Sequence, residues 1–301
     1  MVGVTGLTPS IQAAWRSAHG GLLRVLQSMG LRQPEAAIES ASQRFWTESH
    51  QGRGSHWRST ARFAEGDLWT RIGVRHLGML RRAARLLDAE PAFGRVVEWG
   101  CGGGANVVQI APVAREFIGV DVSSESLREC ARQVEARCDT PFRPVLVDVR
   151  HPEAALRDIT DRCDVFLCVY VFELIPSPAY GERILHIAQQ LLAPGGLALV
   201  QIKYDTGAWR TRPRRLSYRF SPGNTTTYPI HAFWELAVRC GFEPRYVELV
   251  PEDELDERYA YFVMVKPDIP GGVMSSRSSG RDQVTRPNGA TSPTRSAPSD
   301  R

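Results

Sequence analysis

The sequence predicts an α/β fold in which a mostly parallel, doubly wound sheet carries helices on both faces. From residue 95 to residue 267, short apolar runs alternate with polar stretches of helical periodicity, and this β–α alternation is typical of parallel sheets. The chain has 301 residues, 43% of them hydrophobic and 23% charged. That composition is sufficient for one large α/β domain or two small ones.

Seven apolar runs are predicted to be the strands. They are VVEW (96–99), FIGVDV (117–122), RPVLVDV (143–149), DVFLCV (164–169), GLALVQIKY (196–204), EPRYVELV (243–250) and YAYFVMVKP (259–267). Helical stretches separate the first five runs, as expected for parallel neighbours. The short acidic segment PEDELDER between the last two cannot hold a helical crossover, so these two should form an antiparallel hairpin. We therefore expect a seven-stranded sheet with an antiparallel terminal strand.

Residues 1–66 are predicted to be an N-terminal helical extension that includes a lid segment. Apolar residues between positions 11 and 29 recur at helical spacing. The stretch SASQRFWTESHQGRGSHWRSTARF (40–63) has no clear period, which leaves open a plain helix connection or a lid over a site. A second amphipathic helix, DLWTRIGVRHLGMLRRAARLLD (67–88), has an apolar face, and its arginines are interpreted as a solvated face.

The main domain is predicted to span residues 67–267, and the Ser-, Arg- and Pro-rich tail (268–301) to be disordered. No signal peptide or membrane span is recognisable, and the six cysteines lack metal-ligand spacing. We expect a cytoplasmic protein without a metal. The net charge is only +4, and five Arg and three Asp in the tail supply part of it. The near-balanced remainder argues against a nucleic acid partner.

The stretch VVEWGCGGGANVV (96–108) predicts a glycine-rich turn between a strand and a helix, which is a ligand-binding position in doubly wound sheets. Gly100, Gly102 and Ala105 formally match a dinucleotide fingerprint, with Asp121 about twenty residues further on. A Walker A loop is excluded because no Gly-Lys-Ser/Thr follows the glycines. Glu98 argues against a pyrophosphate here, because a carboxylate suits a cationic ligand group better.

Five motifs in order resemble those of class I S-adenosylmethionine-dependent methyltransferases, and the resemblance covers roughly residues 67–267. The motifs are Glu98–Gly104 for E/D-x-G-x-G-x-G, Asp121 closing the second strand, Asp148 after the third, DVFLCVYVFELIP (164–176) for the fourth-strand segment, and LAPGG (192–196) before the fifth strand. Within the fourth motif Glu173 occupies the family's Glu position, and Leu174 replaces the common His. The resemblance implies a Rossmann-like methyltransferase fold and S-adenosylmethionine as cofactor.

The same resemblance implies a role for each cofactor residue. The turn at Gly100, Cys101, Gly102 and Gly104 would pack against the methionine moiety, with Cys101 as a small turn residue and not a nucleophile. Glu98 would lie near the ammonium group, and Asp121 would accept hydrogen bonds from both ribose hydroxyls. Asp148 would face the adenine amino group, with Val122 and Val149 packing on the ring. Val169 would be the first residue of an apolar–aromatic wall after the fourth strand.

The methyl acceptor is expected to be a small molecule that offers an oxygen or nitrogen atom. The irregular N-terminal segment and the insertion at 204–229 both supply aromatic residues for a private pocket. Arginines 210, 212, 214, 215 and 219 of the insertion would suit an anionic acceptor, although a solvated mobile loop is the favoured explanation. His56, Tyr204 and His231 are candidate bases, and no catalytic residue is assigned. The alternatives are an RNA or protein methyltransferase and a catalytically silent binding protein.

Overall fold

The computed structural model describes residues 32–47, 67–87, 93–216, 218 and 222–268. The predicted helix between positions 11 and 29, most of the irregular stretch with His56, Arg219 and the tail beyond residue 268 lie outside these ranges.

Seven strands form one sheet, as the apolar runs predict. They are β1 (Phe93–Trp99), β2 (Ala114–Asp121), β3 (Phe142–Leu146), β4 (Cys163–Cys168), β5 (Leu192–Lys203), β6 (Glu243–Glu252) and β7 (Glu257–Val265). Their order is β3-β2-β1-β4-β5-β7-β6. The first five strands pair in parallel, and β7 runs antiparallel to both β5 and β6. The predicted fold class and the antiparallel terminal hairpin are therefore confirmed.

Seven α-helices are found among the described residues. They are α1 (Glu35–Thr47), α2 (Leu68–Leu86), α3 (Val107–Ile110), α4 (Ser124–Glu135), α5 (Ala155–Asp158), α6 (Pro178–Leu191) and α7 (Ile230–Arg239). Serine caps begin α4 and α6: the Ser126 N–H donates to Ser123 Oγ at 3.3 Å, and the Tyr180 N–H donates to Ser177 Oγ at 3.0 Å. None of the described helices combines the length and apolar character needed to cross a bilayer.

Helix α1 corrects one expectation, because residues 40–47 of the stretch expected to be irregular are helical. Ile38 and Ser42, one turn apart, are buried. The Ser177 hydroxyl donates to Glu35 Oε1 at 2.5 Å. Contacts with distant parts of the chain thus stabilise a helix that has a weak apolar period of its own.

The sheet carries an apolar layer on each face, as a doubly wound fold requires. One layer includes Val97, Phe166, Ile184, Phe233 and Phe262. The other includes Leu80, Val96, Phe117, Leu167 and Tyr261. Because both faces are covered, β4 is buried at every position but one, which is typical of a parallel strand between two helix layers.

The arginines of α2 do not form a purely solvated face. Arg75 pairs with Asp253 Oδ2 at 2.8 Å and with Glu254 Oε2 at 2.6 Å, and Arg82 pairs with Glu248 Oε2 at 2.8 Å. Their partners lie on β6 and in the loop between β6 and β7. The acidic loop and the basic helix, about 180 residues apart in sequence, therefore attract each other in the fold.

Candidate functional site

A cavity of about 240 Å³ lies at the carboxyl edge of the parallel strands, the edge where doubly wound sheets bind ligands. The glycine turn after β1, the end of β2, the loop after β3 and the segment after β4 line one part of it. Helix α1 contributes Ser42 and Trp46, α2 contributes Trp69 and Ile72, and the β6–β7 loop contributes Asp256.

Three glycines of the turn have a left-handed backbone conformation, which favours glycine over other residues. The backbone φ angles of Gly100, Gly102 and Gly104 are 77°, 53° and 97°. The N–H groups of Gly100 and Cys101 donate to the Val120 carbonyl at 2.8 and 3.1 Å. A Cβ at Gly100 would overlap Val171 Cγ2. The turn is thus fixed against β2, and its backbone forms the floor of the cavity.

Asp121, at the end of β2, fastens the same turn with its carboxylate. Its Oδ2 accepts the Gly102 N–H at 2.9 Å, and its Oδ1 accepts the Ser123 N–H at 2.8 Å. The residue also lines the cavity. Since each carboxylate oxygen has two lone pairs, Asp121 can hold the turn and still accept hydrogen bonds from a ligand.

Glu98 lies near the end of β1, buried beside the glycine turn. Its Oε1 accepts the Asn106 Nδ2–H at 2.6 Å, whereas its Oε2 has no hydrogen-bond partner among the described residues. Burial raises the pKa of Glu98 to about 8, against the opposing effect of the Asn106 hydrogen bond. A buried carboxyl oxygen without a partner is costly, so this atom is available to a donor from a ligand.

A buried histidine orients the amide that binds Glu98. His76 Nδ1 lies 2.7 Å from Asn106 Oδ1. Because the amide nitrogen of Asn106 faces the Glu98 carboxyl, its oxygen must accept, and His76 carries its proton on Nδ1. Burial lowers the pKa of His76 to about 4, which keeps the ring neutral near pH 7. Neither His76 nor Asn106 was singled out in the sequence.

The chain of polar contacts continues from His76 to the surface. His76 Nε2 lies 3.2 Å from Tyr261 Oη, which lies 3.3 Å from Tyr170 Oη. The Tyr170 hydroxyl donates to Asp253 Oδ2 at 3.2 Å, and that carboxylate is paired with Arg75. These contacts join the wall after β4 to the acidic β6–β7 loop, so the two sides of the cavity are connected.

Valines 122, 149 and 169 line the cavity beside the ends of β2, β3 and β4. Gln43 of α1 reaches two backbone groups there: its Oε1 accepts the Val149 N–H at 2.7 Å, and its Nε2 donates to the Val122 carbonyl at 3.5 Å. Helix α1 is thereby docked against this end of the sheet.

Two predicted site residues do not line the cavity. Strand β3 ends at Leu146, and Asp148 in the following loop binds Arg150, with Oδ2 and Nη2 2.8 Å apart. This hydrogen bond lowers the pKa of Asp148 to about 2. Gly104 packs against Cys130, whose Sγ would lie 3.0 Å from a Cβ there. In this structure Asp148 and Gly104 therefore lie outside the cavity lining and contact residues around it.

The arginines and candidate bases that the sequence suggested for acceptor binding and catalysis do not line the cavity, as far as the structure describes them. Of the insertion arginines that the structure describes, none lines the cavity; Arg215, for example, donates to the Thr225 carbonyl at 3.3 Å. Tyr204 and His231 are also absent from the lining residues. The anionic-acceptor hypothesis thus has no basis in the described part of the site.

The N-terminal segment and the insertion, which the sequence suggested as the two parts of a private pocket, meet at the cavity. Trp46 of α1 donates through Nε1–H to Tyr218 Oη of the insertion at 2.7 Å, and both residues line the cavity. The two aromatic segments do build a pocket wall together.

A hydrogen bond to Cys130 and burial raise the pKa of Cys101, which fits its interpretation as a turn residue and not a nucleophile.

A second group of side chains lies away from the cavity. Glu182 and His186, one turn apart on α6, and Cys240 after α7 bring three potential metal ligands within 4.8 Å of one another. His186 Nε2 lies 4.0 Å from Cys240 Sγ. The sequence spacing of the cysteines did not indicate this cluster, because its members are brought together only by helix packing.

The family described as methyltransferase domain matches residues 74–247, which is more than half of the 301 residues. No curated protein matches the sequence.

Three solved structures are similar to this chain. A S-adenosylmethionine-dependent methyltransferase from Clostridium acetobutylicum ATCC 824 is 10% identical, covers 69% of this chain and 99% of its own, and has a TM-score of 0.52. N-methyltransferase NodS from Bradyrhizobium japonicum WM9, in complex with S-adenosyl-L-homocysteine, is 14% identical, with coverages of 77% and 99% and a TM-score of 0.50. CalS10 from Micromonospora echinaspora, an amino pentose methyltransferase, is 15% identical, with coverages of 69% and 95% and a TM-score of 0.50.

At these identities the three structures establish a common fold. The family match covers the glycine turn, Asp121 and β1 to β5. Together with the strand order and the ligand-sized cavity at the carboxyl edge, it identifies the chain. The protein belongs to the class I S-adenosylmethionine-dependent methyltransferases.

Proposed function

We propose that this enzyme, in the cytoplasm, transfers a methyl group from S-adenosylmethionine to an oxygen or nitrogen atom of a small molecule. One observation carries the proposal: a single cavity extends from the glycine turn to an aromatic wall built by α1, the insertion and the segment after β4. A concave pocket of this kind suits a small acceptor. All six cysteines are free, which is typical of a reducing compartment.

The residues of the cavity fit the cofactor. The glycine turn offers a backbone surface without Cβ atoms, and the unpartnered Oε2 of Glu98 suits an ammonium group. Asp121 would bind the ribose hydroxyls. When bound, S-adenosylmethionine supplies an electrophilic methyl group on a sulfonium. The chain itself orients the reactants and excludes water.

The adenine ring is proposed to lie between Val122 and Val149. In the structure Gln43 pairs with the N–H of Val149 and the carbonyl of Val122, which are the donor and acceptor that an adenine edge also requires. The groups that Gln43 binds therefore mark the position proposed for the adenine ring. Asp148, next to Val149 in the chain, is proposed to approach the edge of that ring.

Cofactor binding is expected to release a proton from Glu98. With a pKa of about 8, Glu98 is protonated at pH 7, whereas a bound ammonium favours the ionised carboxylate. The affinity for S-adenosylmethionine should therefore rise as the pH rises toward 8, by up to about tenfold per pH unit below that value. Calorimetry at pH 7 in two buffers of different ionisation enthalpy would measure the released proton.

Two variants test whether Glu98 is the source of the released proton. Glu98→Gln should lose the proton release and flatten the pH dependence, with weaker binding throughout. Glu116→Gln changes an acid at the opposite edge of the sheet, where Glu116 pairs with Arg95, and should behave as the wild type. An unchanged proton release in Glu98→Gln would remove Glu98 from the proposed ammonium site.

The small-molecule acceptor is tested by incubating the enzyme with methyl-labelled S-adenosylmethionine and a size-fractionated cell extract. Label is expected in products that pass a filter of about 3 kDa cutoff and that resist protease and nuclease treatment. Label that stays with protein or RNA would instead support the macromolecular alternative. Binding of S-adenosylmethionine without transfer to any fraction would support the catalytically silent alternative.

A further inference from the structure

The part of the cavity beyond the proposed cofactor residues is acidic. Glu173, in the segment after β4, and Asp256, in the β6–β7 loop, both line it. The rings of Tyr170 and Tyr259 stand beside them, 5.3 Å apart at an interplanar angle of 67°. We call these four residues the acidic end of the cavity.

Glu173 is the least satisfied group of the acidic end. Its side chain is buried, and its Oε2 has no hydrogen-bond partner among the described residues. Burial raises the pKa of Glu173 to about 7, and a backbone hydrogen bond, the ammonium of Lys203 and a hydrogen bond with Gln201 oppose the rise. Lys203 is itself bound to Asp256, so its charge is already shared. A buried carboxyl group in this state favours the arrival of a donor that carries positive charge.

The ionisable groups in the described lining of the whole cavity include acids and no basic side chains, although Glu98 is protonated at pH 7 until the cofactor binds. Glu98, Asp121, Glu173 and Asp256 line the cavity, whereas no Lys, Arg or His is among the described lining residues. An acceptor with a carboxylate or phosphate would find no cationic side chain in the described lining, because Lys203 lies outside the lining and is already bound to Asp256. A cationic acceptor would meet both carboxylates and the faces of aromatic rings, which attract cations.

We infer that the acceptor is an amine that enters the cavity as a cation and is held at the acidic end by Glu173, with Asp256 and the flanking tyrosines around it. This inference rests on the proposed methyl transfer and narrows its acceptor to nitrogen. Tyr170, whose hydroxyl is bound by Asp253, acts as a wall of this subsite and not as its base.

Glu173 also completes the proton balance of the transfer. The ammonium of the acceptor gives one proton to the Glu173 carboxylate and becomes a neutral amine. The nitrogen lone pair then forms the N–CH₃ bond while the S–CH₃ bond breaks and its electron pair passes to sulfur. The products are an N-methylammonium ion and a neutral thioether, and Glu173 keeps the proton until the site opens.

The inference is tested with three probes of similar size: benzylamine, benzyl alcohol and benzoate. Each is titrated by calorimetry into the full-length enzyme saturated with S-adenosylhomocysteine. Benzylamine is expected to bind about tenfold more tightly than benzyl alcohol or better, and benzoate most weakly. Glu173→Gln should remove the preference for the amine and leave the affinity for the alcohol unchanged.

Matched variants separate a specific role from a general loss of structure. Glu182→Gln, on α6 outside the cavity lining, should keep the wild-type preference. Asp256→Asn should reduce the preference in part, and it provides a second variant if Glu173→Gln does not fold. Affinity for S-adenosylhomocysteine should be unchanged in all three.

The outcomes distinguish this inference from the proposed function. If benzyl alcohol or benzoate binds as tightly as benzylamine, if benzylamine does not bind, or if folded Glu173→Gln keeps the preference, the amine inference is wrong while methyl transfer stands. If the wild type binds neither S-adenosylmethionine nor S-adenosylhomocysteine, the proposed function itself fails.

Discussion

Replacement of Gly100 by alanine is expected to abolish measurable S-adenosylmethionine binding. Gly100 has a φ of 77°, and an added Cβ would overlap Val171. An L-residue in this left-handed conformation costs about 1–2 kcal/mol, and relief of the overlap must move either the turn or the wall after β4. Both surfaces border the proposed cofactor site, so the backbone shift should reach the ligand directly. Calorimetry with the cofactor, together with thermal unfolding, measures the two effects.

Gly207→Ala is the matched control for this experiment. Gly207 has a similar φ of 82°, but nothing lies within 4 Å of an added Cβ, and the residue is exposed outside the cavity lining. It should show the backbone strain alone, with a Tm lowered by roughly 2–4 °C per kcal/mol and an unchanged cofactor affinity. If Gly100→Ala bound the cofactor as the wild type does, the glycine turn would not be the cofactor floor.

Asp121→Ala is expected to weaken S-adenosylmethionine binding on the order of 100-fold. The change removes a carboxylate proposed to accept two charge-assisted hydrogen bonds from the ribose, each contributing about 1.5–3 kcal/mol. It also removes the acceptors for the N–H groups of Gly102 and Ser123, so the turn loses support as well. Calorimetry gives the affinity, and thermal unfolding gives the part that belongs to the turn.

Asp121→Asn separates the two roles of this residue, because asparagine keeps one acceptor for the turn but loses the charge. Its Tm should lie between those of the wild type and Asp121→Ala, and its affinity should stay well below wild type. Asp164→Ala is the matched control: the Asp164 carboxylate also accepts a backbone N–H, that of Arg95 at 2.6 Å, at the opposite edge of the sheet. A loss of affinity equal in Asp164→Ala and Asp121→Ala would assign the effect to stability alone.

Local patterns in the sequence were sufficient to predict the strands, the antiparallel hairpin and the glycine turn. Such features follow from periodicity and short-range spacing, which are properties of neighbouring residues. The adjacency of Asp121 and the turn also followed, because the carboxyl ends of adjacent parallel strands share one edge of the sheet.

The tertiary structure alone decided the state of the charged and polar groups in the site. His76 faces the core between Asn106 and Tyr261, although it belongs to a helix with a strongly basic sequence. The described arginines of the insertion, which suggested an anionic acceptor, do not line the cavity, whereas Glu173 and Asp256 do.

What the sequence by itself determined about this protein is its fold and its family, together with the glycine turn that we propose as the cofactor site. What only the tertiary structure decided is which side chains line the cavity and how they are paired. A side chain's hydrogen bonds, burial and pKa depend on elements that lie far apart in the chain, as with α1 and the insertion at Trp46 and Tyr218. Desolvation and pairing act over a few ångströms of space, and sequence spacing does not reveal which distant residues come that close.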